Sequence, residues 1–305
     1  MAKPEWTLLI HGGAGVMRRA EMTPDMDAAY RAGLNDALEV GSKVLASGGL
    51  AVDAVEAAVR VLEDNPNFNA GRGAVLTREG VAELDASIMD GRDRTAGAVA
   101  QVRTVKNPIR AARMVMEATG RVMFVGEAVD EMAAKAGLEI VPPEYFVTQR
   151  RQDALKRAMA GKWEPMDRHG TVGAVAMDKA GNLAAATSTG GLNAKPPGRV
   201  GDSPVIGAGT YAENASCAVS ATGDGEHFIR ATVARMICAR VAMQGMSAEQ
   251  AAKATLDEVA ALGGSGGVIV VAHDGGVALS MNTEAMFRGR ADASGVRKVG
   301  IYADE

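Results

Sequence analysis

Two threonines near the middle of the chain are the residues whose type and spacing point most directly to catalysis. Thr171 opens a short apolar run, Thr189 ends the next one, and a turn centred near Ala180-Gly181 separates them. If that turn closes a β-hairpin, the numbers of cross-strand partners sum to about 360, so the two hydroxyls face each other at its open end. Threonine pairs also occur simply because they stabilise sheets. The spacing alone therefore leaves both interpretations open.

The residues before Thr171 favour the catalytic interpretation. His169-Gly170 ends an irregular stretch, and a hydroxyl beside a glycine peptide bond can attack the carbonyl that precedes it. If the bond between Gly170 and Thr171 breaks, Thr171 becomes a new N-terminus. Its α-amine, with a pKa of about 7.7–8.0, can then act as the base for its own hydroxyl. Nucleophile and base belong to one residue in that case.

Two further segments carry groups that could hold an amino acid and stabilise an oxyanion. Arg199 and Asp202 lie in a glycine-flanked segment and suit an α-carboxylate and an α-amine, or else form an ordinary loop ion pair. Residues 222–225 (TGDG) lie where a strand meets a helix. Their N–H groups can stabilise negative charge, or Asp224 merely caps the helix. Residues 11–15 (HGGAG) are likewise an oxyanion turn or a tight loop.

A second candidate nucleophile is Ser265. Residues 263–267 (GGSGG) fit the GxSxG pattern of serine esterases, and residues 11–13 (HGG) suit the oxyanion loop of that class. The histidine that should follow the serine at a distance is His273, only eight residues later, and the segment lies between a helix and a strand in the wrong order. A serine esterase is therefore an alternative. A non-enzymatic binding module is a third class, for which neither Thr171→Ala nor Ser265→Ala would affect any turnover of asparagine or β-aspartyl peptides.

Composition disfavours several other kinds of protein. The 305 residues include 33 Lys and Arg against 37 Asp and Glu, a net charge of −4, so a basic surface for nucleic acid is not expected. No apolar run approaches the roughly 20 residues of a membrane span. The N-terminal apolar stretch is too short for a signal peptide, so we expect a cytoplasmic protein. Cys217 and Cys238 are too few for a disulfide framework and are interpreted as buried small hydrophobes.

Hydrophobic periodicity indicates the elements that must position these residues. The predicted helices cover about 25–46, 51–64, 126–136, 224–243 and 247–261, with a further helix opening at Asn107-Pro108. The predicted strands cover 7–10, 84–89, 97–103, 172–177, 183–188, 217–221, 267–272 and 276–281. Residues from about 141 to 169 are predicted to be a linker. Because helix pairs and hairpins segregate, the pattern favours an α+β layered fold with a largely antiparallel sheet.

Several motifs, taken in order along the chain, carry a family resemblance. They are HGGAG at 11–15, FNAG at 68–71, ELDA at 83–86, MDG at 89–91, HGTVGAVA at 169–176, GNLAAATSTGG at 181–191, PGRVGDSP at 197–204 and TGDGE at 222–226. Together they closely resemble the plant-type L-asparaginase / isoaspartyl peptidase family of N-terminal threonine nucleophile hydrolases. The resemblance covers nearly the whole chain.

The resemblance implies an αββα sandwich built from one domain, residues 1–305. The chain would cleave itself into 1–170 and 171–305, and the two pieces would stay together and pair as a homodimer of αβ units. The enzyme would hydrolyse L-asparagine and β-aspartyl dipeptides, small-molecule substrates, without a required cofactor. A glycosylasparaginase-like amidase shares the nucleophile and is the nearer alternative, although secretion signals and disulfides are missing from the sequence pattern.

The resemblance also implies roles for individual residues. Thr171 would be the nucleophile, Thr189 would orient it and Asn69 would steady the region around it. Thr222 and Gly223 would form the oxyanion hole. Substrate would bind at Arg199, Asp202 and Gly225. A structural sodium ion is implied at the backbone carbonyls of Leu62, Glu63, Asn65, Phe68, Ala70 and Arg72. The family pattern departs at Ala194, which often is Asn, and at the variable Asp224, which could alter the accepted leaving groups.

Overall fold

Two stacked β-sheets form the centre of the protein. The computed structural model describes residues 3–162 and 170–305. Their strands are β1 (Thr7–Gly15), β2 (Leu84–Asp90), β3 (Ala96–Val102), β4 (Met123–Val125), β5 (Val172–Met177), β6 (Leu183–Thr189), β7 (Thr210–Ala212), β8 (Cys217–Gly223), β9 (Gly266–Ala272), β10 (Val277–Met281), β11 (Ala285–Asp292) and β12 (Arg297–Tyr302).

The strands divide into a large and a small sheet. The large sheet has the order β12-β11-β1-β5-β6-β2-β3-β4, and the small sheet has the order β10-β9-β8-β7. Neighbouring strands are antiparallel except for the parallel pair β3 and β4. Strands β11 and β12, which periodicity did not predict, extend the large sheet beyond β1.

Helices cover the two outer faces of the stacked sheets. They are α1 (Pro24–Ala46), α2 (Ala51–Asp64), α3 (Pro108–Ala118), α4 (Glu127–Lys135), α5 (Gln149–Met159), α6 (Gly225–Ala231), α7 (Val233–Gln244) and α8 (Ala248–Ala261). Helices α1 to α3 pack on the large sheet, and α7 and α8 pack on the small one. This is the expected αββα sandwich. In residues 3–162 and 170–305, no helix is long and apolar enough to cross a membrane.

Side chains alternate between the two faces of β1, so this one strand contributes to both hydrophobic cores. Leu8 and Ile10 belong to the core between the large sheet and its helices, whereas Leu9 belongs to the core between the two sheets. Successive side chains of a strand point to opposite faces, and both faces of the large sheet are covered. The strand is therefore apolar at every one of these positions.

The sequence predictions for the helix pair and the hairpin are confirmed. Helices α1 and α2 start and end within a residue of the predicted limits. Strands β5 and β6 pair with Val172 opposite Ser188 and Gly173 opposite Thr187, the predicted register. Helix α8 begins with a capping box in which Ser247 and Gln250 satisfy each other's backbone N–H groups.

Two predicted elements are wrong. Residues 11–15 are neither a turn nor a loop, because β1 continues through them with an irregularity between His11 and Gly13. The predicted helix over 224–243 is two helices, α6 and α7, because Thr232 adopts a left-handed conformation with φ of 46° between them. Periodicity missed this break because Thr is not a residue that marks one.

The predicted linker contains more regular structure than its polar composition indicated. A short 3-10 helix spans Pro143–Phe146, and α5 follows it. Helix α5 is anchored by Arg151, whose side chain is buried and donates from Nε to the carbonyl of Gly73 at 2.6 Å. The last part of the linker, residues 163–169 with His169, lies outside the described residues.

The prediction that the cysteines stay unpaired is wrong. Cys217 and Cys238 are both fully buried, as expected, but they form a disulfide. Cys217 begins β8 and Cys238 lies on α7, which packs on that strand. The pairing depends on this contact between a helix and a strand, so a count of cysteines could not reveal it.

Candidate active site

The hairpin of β5 and β6 brings the two threonines together. Thr171 directly precedes β5 and Thr189 ends β6. Their Oγ1 atoms lie 3.1 Å apart, and the Thr189 hydroxyl also accepts a hydrogen bond from the N–H of Gly191 at 2.9 Å. Both threonines are buried. The predicted contact between the two hydroxyls is confirmed.

The peptide bond between Gly170 and Thr171 is surrounded by hydrogen-bond donors. Oγ1 of Thr171 lies 2.7 Å from the carbonyl oxygen of Gly170. The same oxygen accepts from Nδ2 of Asn69 at 2.9 Å and lies 3.1 Å from Oγ1 of Thr189. A carbonyl that faces donors is polarised for nucleophilic attack. The close approach of Gly13, where a Cβ would lie 2.9 Å from Cα of Gly170, shows how tightly β1 packs here.

The amide of Asn69 is held in one orientation. Its Oδ1 accepts from the N–H of Val75 at 2.8 Å, and its Nδ2 donates to the carbonyl of Gly191 at 2.8 Å as well as to Gly170. The side chain is 2% exposed. Because one end must accept and the other must donate, the amide presents its N–H to the Gly170 carbonyl.

A small pocket beside Thr171 collects most of the residues predicted to be catalytic or to bind substrate. Thr171, Thr189, Arg199, Asp202 and Gly223 all line it. Gly225 lies next to the Arg199 and Asp202 side chains. A Cβ on Gly225 would lie 2.9 Å from Oδ1 of Asp202 and 3.1 Å from Nη2 of Arg199. A glycine at this position therefore leaves open the space between the two charged groups.

Asp202 is a buried acceptor with unused capacity. Its side chain is 4% exposed, and Oδ2 has no hydrogen-bond partner among residues 3–162 and 170–305. Burial raises the pKa of the Asp202 carboxyl to about 7, against the opposing effects of a backbone hydrogen bond and of Arg199. A cation that reached this oxygen would stabilise the ionised carboxylate.

Arg199 has a partner that the sequence did not single out. Its Nε and Nη2 donate to the two carboxylate oxygens of Glu226 at 3.0 and 2.9 Å. The Arg199 side chain is 13% exposed and that of Glu226 is 57% exposed. These hydrogen bonds lower the pKa of the Glu226 carboxyl. Glu226 occupies one edge of the guanidinium, and Nη1, on the other side, lies toward Gly191 and Gly201.

The end of β8 carries the remaining predicted residues. Thr222 is fully buried, and its Oγ1 accepts from the N–H of Ala14 at 3.2 Å. Asp224 precedes α6, but its side chain makes no capping bond. Oδ2 of Asp224 instead accepts from the N–H and the hydroxyl of Ser265, at 2.7 and 2.9 Å. Ser265 thus donates to a carboxylate, whereas the esterase mechanism requires it to donate to an imidazole.

A buried chain of polar side chains behind Thr171 was missed by the sequence reasoning. Nδ1 of His11 lies 2.8 Å from the carbonyl of Thr171, and Nε2 lies 2.8 Å from the hydroxyl of Ser220. Ser220 continues to Thr187 at 2.7 Å, and Thr187 to Thr210. Burial lowers the pKa of His11 to about 3, so the ring is neutral. Because a carbonyl only accepts, the proton sits on Nδ1.

The loop after α2, whose carbonyls are the implied sodium ligands, folds back on itself. A Cβ on Gly71 would lie 2.4 Å from the Glu63 carbonyl oxygen, and one on Gly73 would lie 2.1 Å from that of Phe68. Glycines at both positions let the backbone approach these carbonyls. The described residues contain no side-chain cluster of the kind that binds a metal. Carbonyl oxygens are the ligands that hard cations accept, so the donor set suits the implied ion by its chemistry.

Comparison with known proteins agrees with this geometry. The sequence pattern of the family described as asparaginase matches residues 4–301. An isoaspartyl peptidase of Escherichia coli (strain K12) is 48% identical over 309 residues, 98% of this chain and 96% of that protein. An isoaspartyl peptidase/L-asparaginase of Bos taurus is 43% identical over 284 residues, 92% of this chain and 91% of that protein. The chain belongs to the asparaginase family.

Proposed function

We propose that this protein hydrolyses the β-amide bond of L-asparagine and of β-aspartyl dipeptides through an acyl-enzyme on Thr171. The observation that carries the proposal is the placement of the Thr171 hydroxyl 2.7 Å from the Gly170 carbonyl, with Asn69 donating to the same oxygen. The hydroxyl thus lies beside the carbonyl group that it must attack, which supports self-cleavage before Thr171. The pocket that Thr171 lines also contains the guanidinium of Arg199 and the buried carboxylate of Asp202, which suit an aspartyl unit.

Maturation begins when Oγ1 of Thr171 attacks the carbonyl carbon of Gly170. Asn69 stabilises the negative charge that develops on the carbonyl oxygen. The C–N bond then breaks, the nitrogen of Thr171 takes the proton that Oγ1 gives up, and an ester links Gly170 to Oγ1. Water hydrolyses this ester. The products are a carboxylate on Gly170 and a free α-amine and hydroxyl on Thr171.

The two products of cleavage, residues 1–170 and 171–305, stay associated in this proposal. Strand β1 of the first piece lies between β11 and β5 of the second, and β6 of the second piece pairs with β2 of the first. The strands of the large sheet therefore interleave. Separating the pieces would break two strand interfaces on β1 and one on β2, so cleavage leaves the sheet intact.

Turnover uses the freed α-amine of Thr171 as the base. Arg199 binds the substrate α-carboxylate and Asp202 binds its α-amine, an assignment supported by the unpaired Oδ2 of Asp202. Gly225 leaves room between them. Thr171 attacks the β-carbonyl, ammonia or an amino acid leaves, and water releases aspartate. Thr222 and Gly223 stabilise the oxyanion, and Thr189 orients the nucleophile.

The direct test is the maturation and activity of two variants. Incubated wild-type protein should give fragments 1–170 and 171–305 by mass spectrometry, the second starting with Thr171, and should release ammonia from asparagine. Thr171→Ala should do neither, because no other residue supplies a nucleophile with its own base. Ser265→Ala should mature and should still hydrolyse asparagine, with at most a few-fold loss of kcat. An active enzyme that stays a single chain would contradict the proposal, and an inactive Ser265→Ala with active Thr171→Ala would favour the esterase.

We further propose that the loop after α2 binds a structural sodium ion. The carbonyls of Leu62, Glu63, Asn65, Phe68, Ala70 and Arg72 would hold it. Its role would be to fix the loop that leads to Asn69, and no catalytic step passes through it. A ligand that binds the folded state raises the unfolding temperature. The midpoint should therefore be higher in sodium chloride than in choline chloride of equal ionic strength, and equal midpoints would refute the site.

The assembly is proposed to be a homodimer of αβ units that acts in the cytoplasm on small molecules, with neither nucleic acid nor membrane as a partner. Strand β4 supports self-association, because this edge strand exposes Met123 by 43% and Val125 by 53%. Light scattering should give a molecular mass of about twice 31.4 kDa.

The bond between Cys217 and Cys238 is a disulfide, and disulfides persist mainly in oxidising compartments. Cell fractionation therefore tests the compartment, and enzyme confined to an oxidising fraction would contradict it.

A further inference from the structure

The glycine-rich segment 263–267, whose last two residues begin β9, lies directly against the proposed oxyanion donor. Gly223 pairs with Gly266 at the end of β8 and β9. A Cβ on Gly223 would lie 2.4 Å from the carbonyl oxygen of Ser265 and 2.6 Å from Cα of Gly266. The position of the Gly223 backbone is thus determined by contact with the backbone of Ser265 and Gly266.

The orientation of the Gly223 N–H follows from its neighbour. A Cβ on Gly266 would lie 2.4 Å from the carbonyl oxygen of Thr222, so this carbonyl faces β9. The chain has no cis peptide bond among the described residues, and in a trans peptide the C=O and the N–H point in opposite directions. The N–H of Gly223 is therefore turned away from β9, and Gly223 lines the pocket with Thr171.

Residues 263–265 form the loop before β9 and lie outside its strand pairing. Two of these three residues are glycine, and glycine loses more conformational entropy on ordering than any other residue. The loop is held by Asp224, the residue that follows Gly223. Its N–H donates to the carbonyl of Ser265 at 2.9 Å. Its carboxylate accepts from the N–H and the hydroxyl of the same serine.

We infer that Asp224 is a positioning residue for the oxyanion hole, acting through Ser265. The three hydrogen bonds between these residues, hereafter the Asp224–Ser265 clamp, fix the loop against which Gly223 packs. A further bond, from the N–H of Gly266 to Oδ1 of Asn282 at 2.7 Å, supports the first residue of β9. Asp224 neither caps α6 nor reaches the substrate in this account. The inference rests on the proposed function, because Gly223 must be an oxyanion donor.

The clamp has a distinctive consequence, because maturation and turnover use different oxyanion donors. The Gly170 carbonyl accepts a hydrogen bond from Asn69. The oxyanion that forms from the substrate carbonyl is proposed to be stabilised by Thr222 and Gly223. Loss of the clamp should therefore slow turnover and leave self-cleavage unchanged. A general loss of structure would impair both reactions. Substrate binding through the charged side chains of the pocket should also be unaffected, so the effect should appear in kcat and not in KM.

The test compares matured Asp224→Ala, Asp224→Asn and Ser265→Ala with the wild type on β-aspartyl-leucine. Displacement of a catalytic group by about 1 Å can cost roughly 100-fold, so Asp224→Ala should lose at least about 10-fold in kcat with KM unchanged. Asp224→Asn keeps an acceptor for the Ser265 N–H and should recover most of kcat. Ser265→Ala keeps the hydrogen bond from its backbone N–H to Asp224 and should show a few-fold loss of kcat.

The matched control is Asp274→Ala. Asp274 also accepts from a backbone N–H in a glycine-containing turn, that of Gly276 at 2.8 Å, but this turn joins β9 to β10. Its variant should have wild-type kcat. An Asp224→Ala enzyme with wild-type kcat would overturn the clamp, and so would parallel losses in maturation and kcat. If Asp224→Ala fails to fold, Asp224→Asn and Ser265→Ala carry the comparison. Wild-type protein without turnover would instead overturn the proposed function.

Discussion

The side-chain amide of Asn69 donates to the carbonyl oxygen of Gly170 at 2.9 Å, directly before the residue proposed as nucleophile. The two residues are far apart in sequence and meet because the loop after α2 reaches the open end of the β5–β6 hairpin. This contact makes Asn69 the donor best placed to stabilise the charge that forms on that oxygen during self-cleavage.

Asn69→Ala should therefore slow maturation. Removal of one oxyanion donor typically costs roughly 100-fold or more in rate, and we expect a loss of that order in the appearance of fragment 171–305, followed by mass spectrometry. The control is Asn107→Ala, which removes another buried asparagine whose Nδ2 donates to Asp64 at 3.0 Å. Maturation of Asn69→Ala at the wild-type rate would show that the amide has no part in cleavage.

Arg199→Ala should weaken hydrolysis while sparing maturation. Loss of a charge-assisted contact to a buried ion costs about 2–5 kcal/mol, so kcat/KM for asparagine should fall roughly 30-fold or more. Lysine should rescue poorly, since it cannot make a two-pronged contact. Arg92→Ala, which removes a cation from an ion pair with Asp90, is the control.

The proposed binding of the substrate α-carboxylate by Arg199 and of its α-amine by Asp202 can also be tested by comparing substrates. β-Aspartyl-leucine presents a free α-amine and a free α-carboxylate beside the scissile β-amide, whereas its α-linked isomer does not. The wild type should hydrolyse the first and not the second. Comparable turnover of the two isomers would mean that Arg199 and Asp202 do not bind the groups assigned to them.

The pH dependence of binding should report on Asp202. Its pKa is raised to about 7 in the empty site, so the carboxyl is protonated below that pH and cannot pair with a substrate amine. The ratio of kcat/KM for asparagine to that for succinamate, which lacks the amine, should rise with pH and level off above about 7. Titration of the Thr171 amine affects both substrates and cancels. A ratio independent of pH, or one unchanged in Asp202→Asn, would contradict the assignment.

His11 should make the folded state sensitive to acid. Its pKa is about 3 in the folded protein, against the ordinary value of 6.5 for a histidine exposed to water. The unfolded chain therefore binds the extra proton between these values. The stabilisation is complete above pH 6.5 and is lost as the pH falls toward 3, by at most about 1.4 kcal/mol per pH unit for one proton.

The measurement is the free energy of unfolding between pH 7 and pH 4 for the wild type and for His11→Gln. The variant should be less stable at pH 7, because it loses the hydrogen bonds to Thr171 and Ser220. Its stability should fall less steeply with acid. His273→Gln, at an exposed histidine, is the control and should follow the wild-type slope. Equal slopes for wild type and His11→Gln would show that His11 is not the acid-sensitive group.

The sequence by itself determined the parts of this protein that depend on local spacing. Helical periodicity predicted α1 and α2, because one apolar face repeats every three to four residues. The turn at Ala180-Gly181 predicted the register of β5 and β6, and with it the contact between Thr171 and Thr189. The motifs around Arg199, Asp202 and Gly223 pointed to the residues that line the pocket.

Tertiary structure alone decided what depends on residues distant in sequence. Asn69 reaches Gly170, Glu226 pairs with Arg199, and the cysteines bond because separate elements pack together, and no spacing rule carries that information. The same holds for His11, whose strand lies beside β5 in the large sheet. Burial also decided protonation, since an identical carboxyl or imidazole has an ordinary pKa in water and a shifted one inside the protein.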